Sequence, residues 1–503
     1  MTKIISWLEA DLTIFCMLYF FQKKYPSDIY TIIDITNKPK SFFQSQTLVN
    51  FSKKWFYHDH INPKLEPNLN WLKNFEKKYD IDLWELGSND RIFNHYNEYY
   101  NFSKNQILSI LEQECRLFEK ILDEVKPDFF ITGETALQPH HLFHKLCQRR
   151  GIKILMLNHA NWSTYCYISQ ERHRLDGLDN LSINDSDNCT FTELQKILAG
   201  SKISKYHKKY MDEFKKSKFS LLKAAFELLI KSDNSNIQTH YTYYGRTKFR
   251  VLFNELKSLI IKNQREKFIN KNLLHFDSKL KPFIYLPLHI EPERSLLIAA
   301  PRFSDQIETI QEVVKNLPTG VDLYVKEHPL QGSARNWRDL SFYKKIFAIP
   351  NVKLFHPSTD SELLMKNCEL VISVGGTSCF EAGFFGKPSI TFADLGYSVI
   401  PSVKKLNSYD ELHDAINQSL ALSVDPNFIK KYVDALDQHS FDFHILDFIN
   451  SYGSMFYFNG NLVDVLIDEK QMKVFLTNNE KELEELSLEF VKKINYYESI
   501  TTK

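Results

Sequence analysis

The sequence predicts an α/β protein built from two doubly wound parallel-sheet units joined by a polar helical insertion. Three observations carry that expectation. From residue 281 to 420, short apolar runs alternate with amphipathic stretches at the pitch of strand–helix–strand crossovers. A similar, less regular alternation fills the chain up to about Asn161. Between the two, residues 176–280 turn polar, lysine-rich and helical in pattern. A length of 503 residues accommodates this, since domains run to roughly 100–200 residues each. The expected divisions are 1–175, 176–280, 281–420 and a C-terminal extension, 421–503.

In the first unit, the apolar run from Leu12 to Phe21 is too short to span a bilayer, with Asp11 and Lys23 close on either side. It reads as a buried amphipathic helix. Residues 29–35, 129–132 and 152–157 read as buried strands, with helices at 103–125 and 138–150. In the second unit, strands are expected at 283–288, 321–326, 352–355, 370–374 and 389–392. Thr359 with Glu362, and Ser408 with Glu411, have capping-box spacing at helix starts. In the extension, residues 455–458, the Asn459-Gly460 turn and residues 462–467 read as a hairpin, and residues 481–494 as a final helix.

Composition narrows the function classes. With 43% hydrophobic and 25% charged residues, the chain is of soluble globular type. Its 63 basic and 62 acidic residues leave no basic excess, which argues against a nucleic-acid binder. Seven cysteines with no C-x-x-C pair argue against a disulfide framework or a structural zinc site. Together with the lack of a secretory signal pattern, they point to the cytoplasm. The insertion concentrates lysine (Lys202, Lys205, Lys208, Lys209, Lys215, Lys216, Lys218, Lys223), and Arg246, Lys248, Arg250 and Lys257 begin a second basic run. It is either a solvated helical face or a surface for anionic lipid or glycan, and the second reading puts the chain peripherally on the inner membrane face.

Four motifs lie where a doubly wound sheet binds its ligand, at the carboxyl ends of strands. Lys326-Glu327-His328-Pro329 ends one strand, and its cation and imidazole suit a phosphate. Ser373-Val374-Gly375-Gly376-Thr377-Ser378 leads from a strand into a helix. There the glycines permit close approach of a ligand, Thr377 and Ser378 can cap the helix or donate to a phosphate, and the helix start favours an anion. Glu381, one turn later, could accept from a ribose hydroxyl. His289 and Glu291 follow the first strand of the same unit and should line the same crevice. In the first unit, Gly133-Glu134-Thr135 follows a strand, and Glu134 is either a general base toward a hydroxyl or a cap for the next helix.

Other strings carry less. Asp80-Ile81-Asp82 and Asp185-Ser186-Asp187 match a D-x-D pattern that chance supplies in a chain this long. His140 and His144 are four residues apart beside His141, but without a third ligand they read as ordinary helix surface. Cys379 reads as a packing residue.

The stretch from Phe283 to Val403 resembles the capsule polysaccharide biosynthesis family, which includes bacterial Kdo transferases. The resemblance rests on residues 283–289 with Glu291-Pro292-Glu293 and Asp305-Gln306, and on residues 323–329, 341–343 and 349–352. It continues in Gly376-Thr377, Glu381-Ala382 and Gly386-Lys387-Pro388. It implies a GT-B architecture, two Rossmann-like domains facing a cleft, and a metal-independent glycosyltransferase with no cofactor beyond a CMP- or UDP-linked sugar donor. The acceptor would be a glycan or glycolipid, and the sugar an acidic one such as Kdo. Carried over, His328 holds the donor phosphate, Thr377 and Ser378 assist, and Glu134 is similar to the N-terminal-domain carboxylate that serves as base. Within the same fold, a nucleotide-sugar 2-epimerase or a polyol-phosphate transferase is the alternative. A non-catalytic nucleotide- or glycan-binding subunit is the alternative of a different class.

Overall fold

The computed structural model describes residues 1–94, 99–160, 165–182, 188–201, 240–276, 281–457 and 466–501. The first unit runs β1 (Thr2–Leu8), α1 (Thr13–Lys24), β2 (Ser27–Ile33), β3 (Lys53–Phe56), α2 (Lys104–Val125), β4 (Phe129–Thr132), α3 (Gln138–Arg149), β5 (Lys153–His159) and β6 (Cys166–Ser169). Its sheet order is β3-β2-β1-β4-β5-β6. The named pairs are parallel except β5 with β6. β2, β4 and β5 arise from the apolar runs expected to be strands, whereas β1, β3 and β6 were not anticipated.

Local chemistry sets the helix starts. The Ser103 hydroxyl accepts from the Gln106 N–H at 3.2 Å, and the Gln106 side chain accepts from the Ser103 N–H at 2.9 Å, which begins α2. The Leu12–Phe21 run is helical as expected, but α1 is not amphipathic. Ile14, Phe15, Met17, Leu18, Phe20 and Phe21 are all buried, because other elements cover it on opposite sides.

Within the insertion, α4 (Phe191–Gly200) starts at a Thr190–Glu193 capping box, and α5 (Lys248–Asn272) carries the second basic run. The lysines from Lys202 to Lys223 lie outside the described residues.

The second unit contains β7 (Phe283–Pro287), α6 (Arg294–Leu297), β8 (Asp322–Lys326), β9 (Val352–Phe355), β10 (Leu370–Ser373), α7 (Ser378–Gly383), β11 (Ser389–Thr391) and β12 (Val403–Lys405). Its strands are all parallel in the order β12-β11-β10-β7-β8-β9. In both units the first strand is central, later strands add to one side, and the chain then crosses to the other. The switch points fall between β1 and β4 and between β7 and β10.

Two local expectations are corrected. Thr359 does not cap a helix. Asp360 does, accepting from the Glu362 N–H at 2.9 Å, because its shorter spacing matches the turn. The Ser408–Glu411 box forms as expected, at a 3-10 turn. Residues 453–457 are helical rather than strand, and Phe456 buries its ring against Phe475 at 5.6 Å. The Asn459-Gly460 turn lies outside the described residues.

After α8 (Pro426–His439), the chain returns to the first unit. Phe443, Phe448, Phe475, Leu486, Phe490 and Ile494 join one core with α1, β1 and β2. α9 (Glu480–Thr501) lies along α1. The architecture is GT-B-like, with two Rossmann-like units and a last helix that returns to the first.

Candidate functional site

The carboxyl edge of the second sheet gathers three of the expected motifs, because β10, β7 and β8 are neighbours. His289 follows β7, and its Nε2 accepts from the Gly375 N–H at 3.1 Å and lies 3.0 Å from the Ser373 hydroxyl. The ring proton therefore sits on Nδ1. Burial, with the Arg338 charge added, pushes this imidazole down to about 4, so it is neutral at pH 7. Gly376 packs closely on the imidazole: a Cβ there would lie 3.0 Å from His289 Cε1. The Tyr397 hydroxyl fixes the Gly376 carbonyl at 2.5 Å.

Arg338 ties this loop to the His-Pro loop. Its guanidinium donates to Glu327 Oε2 at 2.9 Å, to the Glu291 carboxylate and to the His289 carbonyl. Tyr343 donates to the same Glu327 oxygen at 2.7 Å. Glu327 is fully buried, so the negative charge before His328 is neutralised inside the protein. Gln331 closes the network, accepting from the Glu291 N–H at 2.9 Å and donating to the Glu291 carbonyl at 3.2 Å. The Gln306 side chain donates to the Glu291 carboxylate.

His328 is half-buried, and its Nδ1 accepts from the Leu330 N–H at 3.1 Å. The neutral ring therefore carries its proton on Nε2, the tautomer able to donate to a phosphate. Lys326 is only 4% exposed and donates to the Ser361 hydroxyl at 2.9 Å. Burial lowers its pKa to about 8. The Thr377 hydroxyl gives its proton to Glu381 Oε1 at 2.5 Å, leaving Thr377 to meet a ligand as an acceptor. Ser378 is half-buried at the start of α7. Cys379 is buried, with its thiol toward the Ile390 carbonyl.

Glu134 follows β4 at the other unit's switch point. One of its oxygens accepts from the His159 N–H at 3.1 Å, and the other pairs with Arg172 at 2.5 Å. Burial works to raise its pKa, but Arg172, His173 and the His159 N–H together hold it at about 2. Two further arginines grip the same loop. Arg91 donates to the Ala136 carbonyl at 3.3 Å, and Arg294, from the second unit, donates to the Thr135 hydroxyl at 2.7 Å and to its carbonyl. Arg91, Ala136 and Arg294 border a shallow cleft between the units that Gln138, His141 and Lys145 also line.

The remaining strings resolve as structure. Asp80 ends a helix in the left-handed region (φ 51°) and pairs with Arg149, and Asp82 caps the next helix. Asp185-Ser186-Asp187 lies outside the described residues. The expectation that His140 and His144 are helix surface is corrected. Both are buried: His140 stacks on Trp7 at 4.8 Å and meets the Thr132 hydroxyl at 2.5 Å, and His144 meets the Gln170 carbonyl at 2.9 Å. Among the described residues, no three His, Cys, Asp or Glu side chains converge as a metal site would need.

Residues 194–404 match the model described as capsule polysaccharide biosynthesis protein. The match covers 211 of the 503 residues, and over this stretch the chain is similar to that family. The matched stretch runs from within α4, through the rest of the insertion and the second unit, into β12. No curated protein matches the chain. Among solved structures, it is similar to UDP-GlcNAc 2-epimerase from Methanocaldococcus jannaschii, at 13% identity over 87% of this chain and 100% of that one, with a TM-score of 0.25. It is similar to the beta Kdo 2,7 transferase of Thermosulfurimonas dismutans, at 11% identity over 72% and 86%, with a TM-score of 0.28. It is also similar to E. coli ADP-heptose lps heptosyltransferase II, at 9% identity over 84% and 99%, with a TM-score of 0.23. No helix among the described residues is long and apolar enough to cross a membrane.

Proposed function

We propose that the chain is a metal-independent glycosyltransferase of surface or capsular polysaccharide synthesis, moving a sugar from a nucleotide donor to a glycan or glycolipid. One observation supports it above others. At the switch point of the second sheet, three loops are locked together through His289, Gly375 and Arg338, and the His-Pro loop offers His328 in the donating tautomer. A leaving nucleotide gains charge on its phosphate in the transition state. Preorganised donors there, His328 with the Ser378 hydroxyl, assist the chemical step rather than binding alone. The family match covers the stretch that carries this crevice.

The test is a thermal titration with CMP, UDP, GDP and ADP, followed by turnover with the matching sugar nucleotide. A ligand selective for the folded state raises the midpoint. A shift with CMP, lost in His328→Ala, is the expected result. That substitution should lower kcat by about 10²–10³-fold, as for loss of one preorganised donor. Wild-type turnover in the variant would overturn the assignment. Conversion of the sugar nucleotide without acceptor would move the reading to an epimerase.

The acceptor side of the reading includes contact with an anionic bilayer through α5. One face of α5 packs on the second unit: Ser258 accepts from Asn336 at 2.7 Å, Arg265 donates to the Trp337 carbonyl at 3.0 Å, and Ile269 is buried. The opposite face holds Phe249, Phe253, Leu256 and Ile260, at i, i+4, i+7 and i+11, each 62–81% exposed. The helix carries seven Lys and Arg against two Glu, so a second copy would bring like charge and an anionic surface brings opposite charge. The protein should sediment with phosphatidylglycerol vesicles and not with phosphatidylcholine ones. Replacing the four apolar residues with Ser should abolish this. No vesicle binding, or a dimer that the same substitutions dissociate, would refute the bilayer contact.

A further inference from the structure

A second carboxylate stands at the switch point of the first sheet, across it from Glu134. Glu9 follows β1, the central strand, and β4, which leads to Glu134, is its neighbour. The two carboxylates differ in what holds them. Both oxygens of Glu134 are committed, to Arg172 and to the His159 N–H. Glu9 has a quarter of its side-chain surface open, and the Nδ1 of the buried, neutral His140 ring lies 3.9 Å from its carboxylate.

That nitrogen is itself unusual. His140 is 1% exposed, and its Nδ1 has no hydrogen-bond partner. The Thr132 hydroxyl donates to the Gly133 carbonyl at 3.0 Å, so its oxygen takes the Nε2–H of His140 at 2.5 Å. Nδ1 is then a lone pair facing Glu9, and a proton arriving on Glu9 finds an acceptor behind it. A buried polar atom left unpaired in this way is costly, and such groups concentrate at working sites.

We propose that Glu9, backed by His140, is the general base that takes the proton from the acceptor hydroxyl, while Glu134 holds Arg172 in place. The proposal rests on the glycosyltransferase reading. In the step, the acceptor oxygen bonds the anomeric carbon as its proton passes to the Glu9 carboxylate. The bond from that carbon to the donor phosphate oxygen breaks, and its electron pair leaves on the nucleotide. The groups facing Glu9 are Asp11 on its own loop, Asp34 after β2 (paired with His58 at 2.5 Å), Arg91 and His140. Burial, then Asp11 and Asp34, push its pKa up to about 8, with Arg91 opposing. A base in that range works near neutral pH, whereas a carboxylate held at about 2 is a weak proton acceptor.

The experiment is the pH profile of kcat/KM, from pH 5 to 10, for wild type, Glu9→Gln, Glu9→Asp and Glu134→Gln. Wild type should rise to a plateau through about pH 8. Glu9→Gln should lose that rise and drop kcat by ~10²–10⁴-fold, with nucleotide binding by thermal shift unchanged. Glu9→Asp should keep the rise at a displaced pH, and Glu134→Gln should keep it in place. The neutral form of Glu9 is favoured by folding, so the folded state binds more protons than the unfolded chain between its ordinary value and pH 8, and stability falls as pH rises through that window. Glu9→Gln should therefore fold, with a midpoint above wild type at pH 8 and near it at pH 4. If it fails to fold, the Glu9→Asp profile decides. A wild-type profile in either Glu9 variant, or loss of the rise in Glu134→Gln, overturns the proposal while leaving the transferase reading intact. A wild-type protein that turns over no sugar nucleotide overturns both.

Discussion

Arg338 joins three loops that the sequence presents as separate motifs. It lies eleven residues past Glu327 in a polar loop, and its partners come from after β7 and β8, so nothing in its neighbours announces the role. His289, Glu291 and His328 were legible because they sit directly after apolar strands. Arg338→Ala would leave the Glu327 and Glu291 carboxylates facing each other across a largely buried gap. Breaking a buried pair from one side costs about 3–5 kcal/mol, and a drop of that size in denaturant-derived stability is the expected result. A loss under 1 kcal/mol would show that water replaces the guanidinium. His289 makes a separate prediction. Its folded pKa of about 4 lies below the ordinary histidine value, so the unfolded state binds more protons in the window between them. Stability should fall as pH drops from about 6.5 to 4, and His289→Gln should flatten part of that slope. An unchanged slope in the variant would mean other groups carry it.

At the scale of elements, what was legible follows from burial. β4, β7 and β10 are buried on both faces of parallel sheets, and their sequences read as near-continuous apolar runs, as does the centre of β8. β3, with Lys53 and Lys54, and β12, with Lys404 and Lys405, are edge strands whose lysines mask the pattern. β1 was hidden by the stronger apolar run of α1 that follows it, and with it went Glu9. The join between the units was also invisible. The Gly396 N–H donates to the His173 carbonyl at 2.8 Å, and a Cβ on Gly396 would lie 2.1 Å from that oxygen. Both sides of this contact are backbone, so neither can yield by a rotamer change. Gly396→Ala should cost about 1–3 kcal/mol by overpacking and lower the thermal midpoint. A midpoint equal to wild type would show that the join slides freely.

At the scale of the whole molecule, the last segment of the chain is part of the first unit. Leu483, Leu486, Phe490, Ile494 and Tyr497 on α9 are buried in the core shared with α1. Lys493 and Tyr497 both reach Asp176, at 2.7 Å and 2.5 Å, so α9 also fixes the point where the chain leaves the first unit. The second unit has its own core, built around β7, β8 and β10. Burying side chains of this kind contributes about 1.5–3 kcal/mol each, and five of them rival the ~5–15 kcal/mol that holds a domain together. Truncation after Asn479 should therefore unfold the first unit and leave the second folded. Calorimetry should show one transition in place of two, and a nucleotide that shifts the full chain should still shift the one that remains. Turnover should vanish with the first unit, because Glu9, Glu134 and Arg172 belong to it. Two intact transitions in the truncated chain would mean that α1 is held by the sheet alone, and that α9 only covers a face already stable.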